Sequence, residues 1–272
     1  MGSLNSSNAR VEGVVNYLLD TGKRPVTYAT ANPEGAEPYQ REVDPTRVLI
    51  QDARLLSHAP RLDVEGFEKV VQPTELDLQD EAQIIERYYT ETENLLKAAT
   101  GAVKVVVFDH TVRIDEPGRE VRGLREPVRY VHNDQTPRSA QRRVFDHLPK
   151  QEAEYRSHRR FAIINVWRPI GAPVYSTPLA LCDARTLADA DLVASDLVYP
   201  DKVGETWSIK ANPAHRWYYY PQLRPDEALL LKIYDSQPGV AQLTAHTAFD
   251  DPNSPPGAPP RRSIELRTLV FY

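Results

Sequence analysis

The run Arg129-Tyr130-Val131-His132-Asn133-Asp134 carries the pair of side chains best suited to chemistry in this chain. Tyr130 and Val131 favour a strand, where residues i and i+2 share a face, so His132 and Asp134 project side by side. An imidazole and a carboxylate aimed at one point are two of the three protein ligands of a 2-His-1-carboxylate site. Such a site holds Fe(II) and leaves positions open for reactants. An H-x-D triplet alone is common, so its meaning depends on the residues downstream of it.

Two histidines compete for the third position. His246 sits in the short apolar run Leu243-Thr244-Ala245-His246-Thr247-Ala248-Phe249, and fifteen residues later (261 − 246) comes Arg261-Arg262-Ser263-Ile264-Glu265-Leu266-Arg267. The alternation of 261, 263, 265 and 267 with Ile264 and Leu266 is a strand pattern. It puts Arg261 and Ser263 on one face, two donors of the kind that grip a carboxylate, and Arg262 on the other. Arg267 shares the Arg261 face at a different depth. The rival, His215, precedes the aromatic block 216–220 and reads either as a satisfied structural histidine or as a group touching substrate. His246 is favoured because only it lies shortly before an Arg-x-Ser strand. His110 and His147 each follow an aspartate, but neighbours on a strand face opposite ways, so surface hydrogen bonding is expected there.

The order H-x-D, distal His, R-x-S resembles the Fe(II)/2-oxoglutarate-dependent oxygenases. Further segments narrow the resemblance: Asn165-Val166-Trp167-Arg168-Pro169-Ile170, Pro213-Ala214-His215-Arg216-Trp217-Tyr218-Tyr219-Tyr220-Pro221, Asp226-Glu227, Tyr234-Asp235-Ser236, His246-Thr247-Ala248-Phe249 and Ser263-Ile264-Glu265-Leu266-Arg267. Together they are similar to the family that includes bacterial cephalosporin 7α-methoxylase subunits, fungal gibberellin desaturase and fungal meroterpenoid endoperoxide-forming enzymes. The similarity runs from about residue 10 to the C-terminus. It implies that His132, Asp134 and His246 are the catalytic iron ligands and that Arg261 with Ser263 holds the far carboxylate of 2-oxoglutarate. Tyr130 and Arg168, with Asn165, are implied to orient co-substrate or substrate; the other reading of Arg168, at a strand end before Pro169, is an arginine emerging into solvent. Arg262 departs from the family pattern, where an acidic or small residue is expected, so Arg262 and Arg267 stay open as alternative anchors.

These groups need a β scaffold. Strands are expected over 47–52, 103–112, 128–134, 161–167, 216–220, 228–234, 242–246 and 263–272, separated by loops rich in Pro, Gly and Asp. The apolar periodicity of 79–100 predicts a helix stopped at Gly101. Many short strands preceded by a helix suggest a mainly β fold with supporting helices, a jelly roll, and the resemblance implies the same double-stranded β-helix. Residues 1–10 read as a disordered leader and 11–272 as a single oxygenase domain with an N-terminal elaboration. Residues 31–45 and 252–260 are expected to be loop. The stretches 138–160 and 183–205 both have helical character and are expected to lie over the barrel mouth. In the aromatic block Trp217-Tyr218-Tyr219-Tyr220, alternation sends two rings inward and two outward.

With 272 residues, 41% hydrophobic and 26% charged, the composition is that of a globular chain. A net charge of −5 argues against a nucleic-acid partner. The arginines at 138, 142, 143, 156, 159 and 160 read as a solvated face or, more sharply, as a positive rim attracting an acidic substrate. Cys182 is the single cysteine, which excludes an intrachain disulfide. No apolar run approaches 18 residues, so no membrane helix is expected and a cytoplasmic enzyme is the default. Met1-Gly2-Ser3-Leu4-Asn5-Ser6 matches a myristoylation pattern, but its flank is not polybasic. No Gly-rich phosphate loop, G-x-S-x-G elbow or C-x-x-C is present.

The expected function is oxidation of an unactivated C–H bond of a small natural product in secondary metabolism, using Fe(II), 2-oxoglutarate and O2. A homodimer is left open. Two other classes compete: a partner-dependent, non-catalytic binding subunit of the same fold, and a metal-dependent isomerase or cyclase.

Overall fold

The computed structural model describes residues 9–28, 42–116 and 125–272. Two sheets face each other. The larger contains β1 (Arg10–Leu18), β2 (Val26–Tyr28), β3 (Val43–Asp52), β6 (His132–Asn133), β8 (Leu179–Cys182), β9 (Leu192–Val198), β10 (Val203–Ile209), β11 (Trp217–Tyr219) and β13 (His246–Ala248), in the order β1-β3-β11-β8-β13-β6-β10-β9-β2. The smaller contains β4 (Phe67–Val71), β5 (Lys104–Ile114), β7 (Phe161–Pro169), β12 (Glu227–Asp235) and β14 (Arg262–Phe271), in the order β4-β12-β7-β14-β5. This is the mainly β double-stranded β-helix that the strand pattern leads one to expect.

The strand β7 shows how the layers form. All nine of its residues are buried, so polarity cannot reveal which face is inward. Phe161, Ile163 and Trp167 enter the core between the sheets, together with Leu181, Leu231, Ile233, Leu269 and Phe271. Ala162, Ile164 and Val166 face outward into a second core. That second core is closed by Ile84, Tyr88 and Leu96 of a helical segment running from α1 (Glu81–Gln83) through a π turn at Ile84–Tyr88 into α2 (Tyr89–Thr100). Gly101 ends it with φ 72°, a left-handed conformation that glycine adopts without steric cost. α3 (Pro137–His147) and α4 (Lys150–Ser157) cap the inner core with Ala140, Val144 and Ala153. In the aromatic block Tyr218 and Tyr220 point inward, and Trp217 and Tyr219 outward.

Several expectations need correction. Residues 192–198 and 203–209 form strands, not helix, and only two 3-10 turns, Ala184–Thr186 and Asp189–Asp191, precede them. The aspartates of this stretch act at turn ends: the Asp183 carboxylate accepts from the Arg185 amide at 3.1 Å and the Asp191 carboxylate from the Ala188 amide at 2.9 Å. Short polar side chains that compete for backbone donors in this way oppose helix interiors. The H-x-D strand is only two residues long, with Asp134 just beyond it, and His246 begins its strand rather than ending it. β3 starts at Val43, so Pro45 is inside a strand; residues 31–41 of the expected loop lie outside the described residues. Arg10 already belongs to β1, and residues 1–8 of the expected leader lie outside the described residues.

Arg168 is the largest departure. The phase of β7 turns it outward, away from the space between the sheets, yet it is fully buried rather than solvated. It donates to the Tyr88 hydroxyl at 3.2 Å and to the carbonyls of Gln72 and Pro225, with its guanidinium 5.6 Å from the Tyr88 ring centroid. It clamps the π turn and two loops onto the smaller sheet, on the face opposite to His132 and Asp134. Arg168→Leu leaves two buried carbonyls unpaired, a loss of about 1.5–3 kcal/mol for hydrogen bonds to a charged group. The melting temperature should fall by roughly 5 °C, with the affinity for any ligand of the inner face unchanged. A thermal melt and a ligand titration check both.

Candidate metal and co-substrate site

Backbone pairing brings the two imidazoles together. His246 stands opposite His132 in the antiparallel register of β13 and β6, and the ring centroids are 4.4 Å apart. Asp134 turns back onto the same point, its Oδ1 3.5 Å from His132 Nε2. One ligand-type atom from each of His132, Asp134 and His246 falls within 4.8 Å of the other two. Donors held at about 2 Å from one ion sit roughly 3 Å apart on a common face, so the three draw together when they bind it.

The protonation states suit a cation. His132 Nδ1 is 2.9 Å from the Tyr130 carbonyl, and His246 Nδ1 is 3.5 Å from the Thr244 carbonyl. A carbonyl only accepts, so each Nδ1 carries a proton, and Nε2 is the ring atom left to face Asp134 or a metal. Burial, reinforced by the neighbouring His132, pushes His246 down to about 4, so it is neutral at physiological pH. Burial alone would raise Asp134, but the hydrogen bond from His132 and the charges of Arg267, His132 and His246 prevail and hold it well below the usual carboxylate range.

A layer of inward side chains fixes Asp134. Asn165 Nδ2 donates to Asp134 Oδ2 at 2.8 Å and to Glu265 Oε1 at 2.7 Å. Arg267 donates from Nε to Asp134 Oδ2 at 3.2 Å, from Nη2 to Glu265 Oε2 at 3.2 Å, and from Nη1 to Asp109 at 3.1 Å and Thr111 at 2.9 Å. Arg267 is therefore committed to protein partners. Neither Glu265 nor this use of Arg267 emerges from the motifs, although the alternation of β14 puts both on the Ser263 face. Asn165→Leu removes the shorter of the two hydrogen bonds that orient Asp134 Oδ2, so Fe(II) affinity should fall about 10- to 100-fold. An anaerobic metal titration reads this directly; unchanged affinity would dismiss the role.

Arg261 lies deeper, 4% exposed, with Nη1 donating 2.7 Å to the Thr177 carbonyl and its guanidinium 5.4 Å from the Trp167 ring centroid. Thr177 presents that carbonyl from an unusual backbone with φ 49°. Arg261 Nε and Ser263 Oγ are buried without a hydrogen-bond partner. Buried donors are rarely left so, and two of them on one face mark a place for an acceptor. Burial, then the nearby Arg113, pushes Arg261 down to about 9, the direction expected of a guanidinium lacking its counter-ion. Arg262 points outward to Gln79 and Glu116.

The other candidates separate cleanly. Tyr130 stands beside the cluster, its ring 5.2 Å from that of His132. His215 is elsewhere, buried between the Tyr17 hydroxyl at 2.9 Å and Asp191 at 3.0 Å. His110 bonds the Tyr89 hydroxyl on the helix side of the smaller sheet. Cys182 is buried, its thiol pushed up to about 12 by burial, which suits packing. A cavity of about 770 Å³ opens onto His132, Asp134, Tyr130 and Arg267, walled by residues of β5, α3 and β10. Of the clustered arginines only Arg143 lines it. Arg156 and Arg160 are engaged by Glu152 and by Asp63 and Asp235. His147, expected in a polar setting, stacks on Phe108 at 4.9 Å in the cavity wall.

Two imidazole edges and one ionised carboxylate, presented at the inner face of a double-stranded β-helix above an unsatisfied arginine, define the class of non-haem metal oxygenases. A family profile described as an oxidoreductase/YMDC permease-like domain matches residues 15–271. The hydroxylase/desaturase efuI of Hormonema carpetanum is 35% identical over 249 residues, covering 83% of this chain and 83% of the relative. The Fe(II)/2-oxoglutarate-dependent dioxygenase nvfI of Aspergillus novofumigatus is 34% identical over 235 residues, 84% of each chain. A solved structure of the iron and alpha-ketoglutarate-dependent endoperoxidase NvfI superposes with a TM-score of 0.88 at 30% identity, covering 97% of this chain and 99% of that one. The chain belongs to this family of fungal hydroxylase/desaturase and Fe(II)/2-oxoglutarate-dependent oxygenases. Among the described residues no helix is long and apolar enough to cross a membrane.

Proposed function

We propose that this chain is an Fe(II)- and 2-oxoglutarate-dependent dioxygenase that oxidises an unactivated C–H bond of a small natural product in secondary metabolism, acting in the cytoplasm. His132, Asp134 and His246 hold the iron. Arg261 and Ser263 receive the far carboxylate of 2-oxoglutarate, and Tyr130 flanks the iron-facing end. The observation that carries the reading is the convergence of two imidazoles and Asp134 on one point, together with the unpartnered Arg261 Nε and Ser263 Oγ on the facing sheet.

When bound, iron and 2-oxoglutarate together supply the oxidising power, consuming O2 and releasing succinate and CO2 as hydrogen is removed from substrate. The protein's part is positioning. Asn165 and Arg267 hold the Asp134 carboxylate in one orientation, and the backbone carbonyls of Tyr130 and Thr244 hold the imidazole tautomers. The cavity of about 770 Å³ is of the size that small-molecule sites occupy and opens directly on the His132 edge. The relatives' range of outcomes, from hydroxylase/desaturase to endoperoxidase, leaves the product class to how substrate is held in that cavity.

The test is anaerobic addition of 2-oxoglutarate to the Fe(II) protein, followed by exposure to O2. A metal-to-ligand charge-transfer band and then succinate are expected. A protein that binds neither iron nor 2-oxoglutarate would return the non-catalytic subunit to first place. Product formation without succinate would favour the isomerase or cyclase reading.

A further inference from the structure

A second guanidinium stands beside the Arg261–Ser263 pocket with no role in the function proposed above. Arg113 of β5 is directly opposite Ser263 in the antiparallel register of β5 and β14. The same register pairs Thr111 with Glu265 and Asp109 with Arg267, so Arg113 belongs to the inward row that surrounds Asp134. Arg113 also lines the catalytic cavity with Tyr130 and His132.

Its surroundings differ from those of the other cations nearby. Arg267 is neutralised by Asp134, Glu265 and Asp109. Arg129 pairs with Asp115 and Asp250. Arg113 has, among the described residues, a single hydrogen bond, from Nη1 to the Glu126 carbonyl at 2.8 Å, and no carboxylate partner. Arg261 likewise reaches only a carbonyl among the described residues. Among the described residues, the two guanidiniums beside Ser263 thus have no carboxylate within ion-pair distance, and the Ser263 hydroxyl has no partner either. They are near enough that Arg113 contributes to depressing Arg261. Like charges brought together beside a partly desolvated pocket repel, and an anion between them removes that cost.

We propose that Arg113 is a positioning residue for the co-substrate: its guanidinium and that of Arg261, reaching from adjacent strands, clamp the C5 carboxylate of 2-oxoglutarate with the Ser263 hydroxyl between them. The β5–β14 pair then sets selectivity for a dicarboxylic keto acid over a monocarboxylic one. This rests on the function proposed above, and the experiment separates the two.

Anaerobic Fe(II) protein is titrated with 2-oxoglutarate and with 2-oxovalerate, which has a methyl group in place of the C5 carboxylate. Kd is read from the charge-transfer band and by calorimetry. Arg113→Leu should weaken 2-oxoglutarate about 10- to 100-fold, as for loss of a hydrogen bond to a charged group. Binding of 2-oxovalerate should not change, so the preference between the two acids collapses. Arg113→Lys, which keeps the charge but loses the planar fork, should fall in between and guards against misfolding of the leucine variant. Equal weakening of both acids would mean a merely structural role and overturn the proposal, as would unchanged 2-oxoglutarate binding in Arg113→Leu beside a defective Arg261→Leu. Failure of the unmodified protein to bind 2-oxoglutarate would overturn the proposed function itself.

Discussion

His132→Ala, Asp134→Ala and His246→Ala should each abolish Fe(II)-dependent turnover and lose bound iron, whereas His215→Ala should keep its iron. In the proposed site these three groups are the whole protein-derived ligand set, and removing one destroys the facial geometry. The effect should be greatest for Asp134, the one carboxylate of the three, held ionised well below the usual carboxylate range. His215→Ala instead breaks a buried chain in which the histidine joins Tyr17 to Asp191 and the Trp217 indole donates to the same Tyr17 hydroxyl at 2.8 Å. Its cost is stability, about 1–3 kcal/mol for buried polar groups left unpaired. Metal analysis of the four purified variants, alongside their melting curves, separates the two classes. Iron lost from His215→Ala and retained by His246→Ala would reverse the assignment.

Arg261→Leu should raise the 2-oxoglutarate requirement steeply while leaving Fe(II) affinity nearly unchanged. The guanidinium lies on the facing sheet, donates to the Thr177 carbonyl, and makes no hydrogen bond to His132, Asp134 or His246. Truncating one member of a buried charged pair typically costs about 3–5 kcal/mol, or roughly two to four orders of magnitude in affinity. Arg262→Leu should leave this quantity alone, because that side chain faces Gln79 and Glu116 on the outer surface. Arg267→Leu should behave differently from both. It strips Asp134 and Glu265 of a shared counter-ion, so its first symptom should be weaker metal binding. Paired titrations of Fe(II) and 2-oxoglutarate on the three variants decide among them. A 2-oxoglutarate defect confined to Arg262→Leu would mean that the strand register is off by one.

Relative facing within one element can be read from the chain by itself. The i, i+2 spacing that joins His132 to Asp134, the sharing of a face by Arg261 and Ser263, and the exclusion of Arg262 all derive from the two-residue period of a strand. That period holds whatever the strand packs against, and even a two-residue strand preserves it at His132. The choice between His246 and His215 rests, in the sequence, on order along the chain alone. The pairing of β13 with β6 is what sets one imidazole against His132, while Tyr17 and Asp191, 198 and 24 residues away in the chain, consume the other.

Absolute orientation is decided by the tertiary structure. β7 is buried on both faces, so nothing in Asn165-Val166-Trp167-Arg168 reveals that 165 and 167 face the site and 168 faces the helix. The role of Arg168 is illegible in the sequence for that reason, and that of Glu265, like the one proposed for Arg113, for a related one. A charged residue on a strand reads locally as solvent-facing, and only closure of a second sheet over it turns that charge into part of a buried network. The stretch 183–205 is a similar case. Its Ala content suggests a helix on composition, but pairing of β9 with β10, and of β10 with β6, draws it into the wall of the cavity that opens onto His132 and Asp134. Periodicity is a local property of the chain, whereas register between strands distant in sequence and the covering of one face or the other are properties of the assembled sheets.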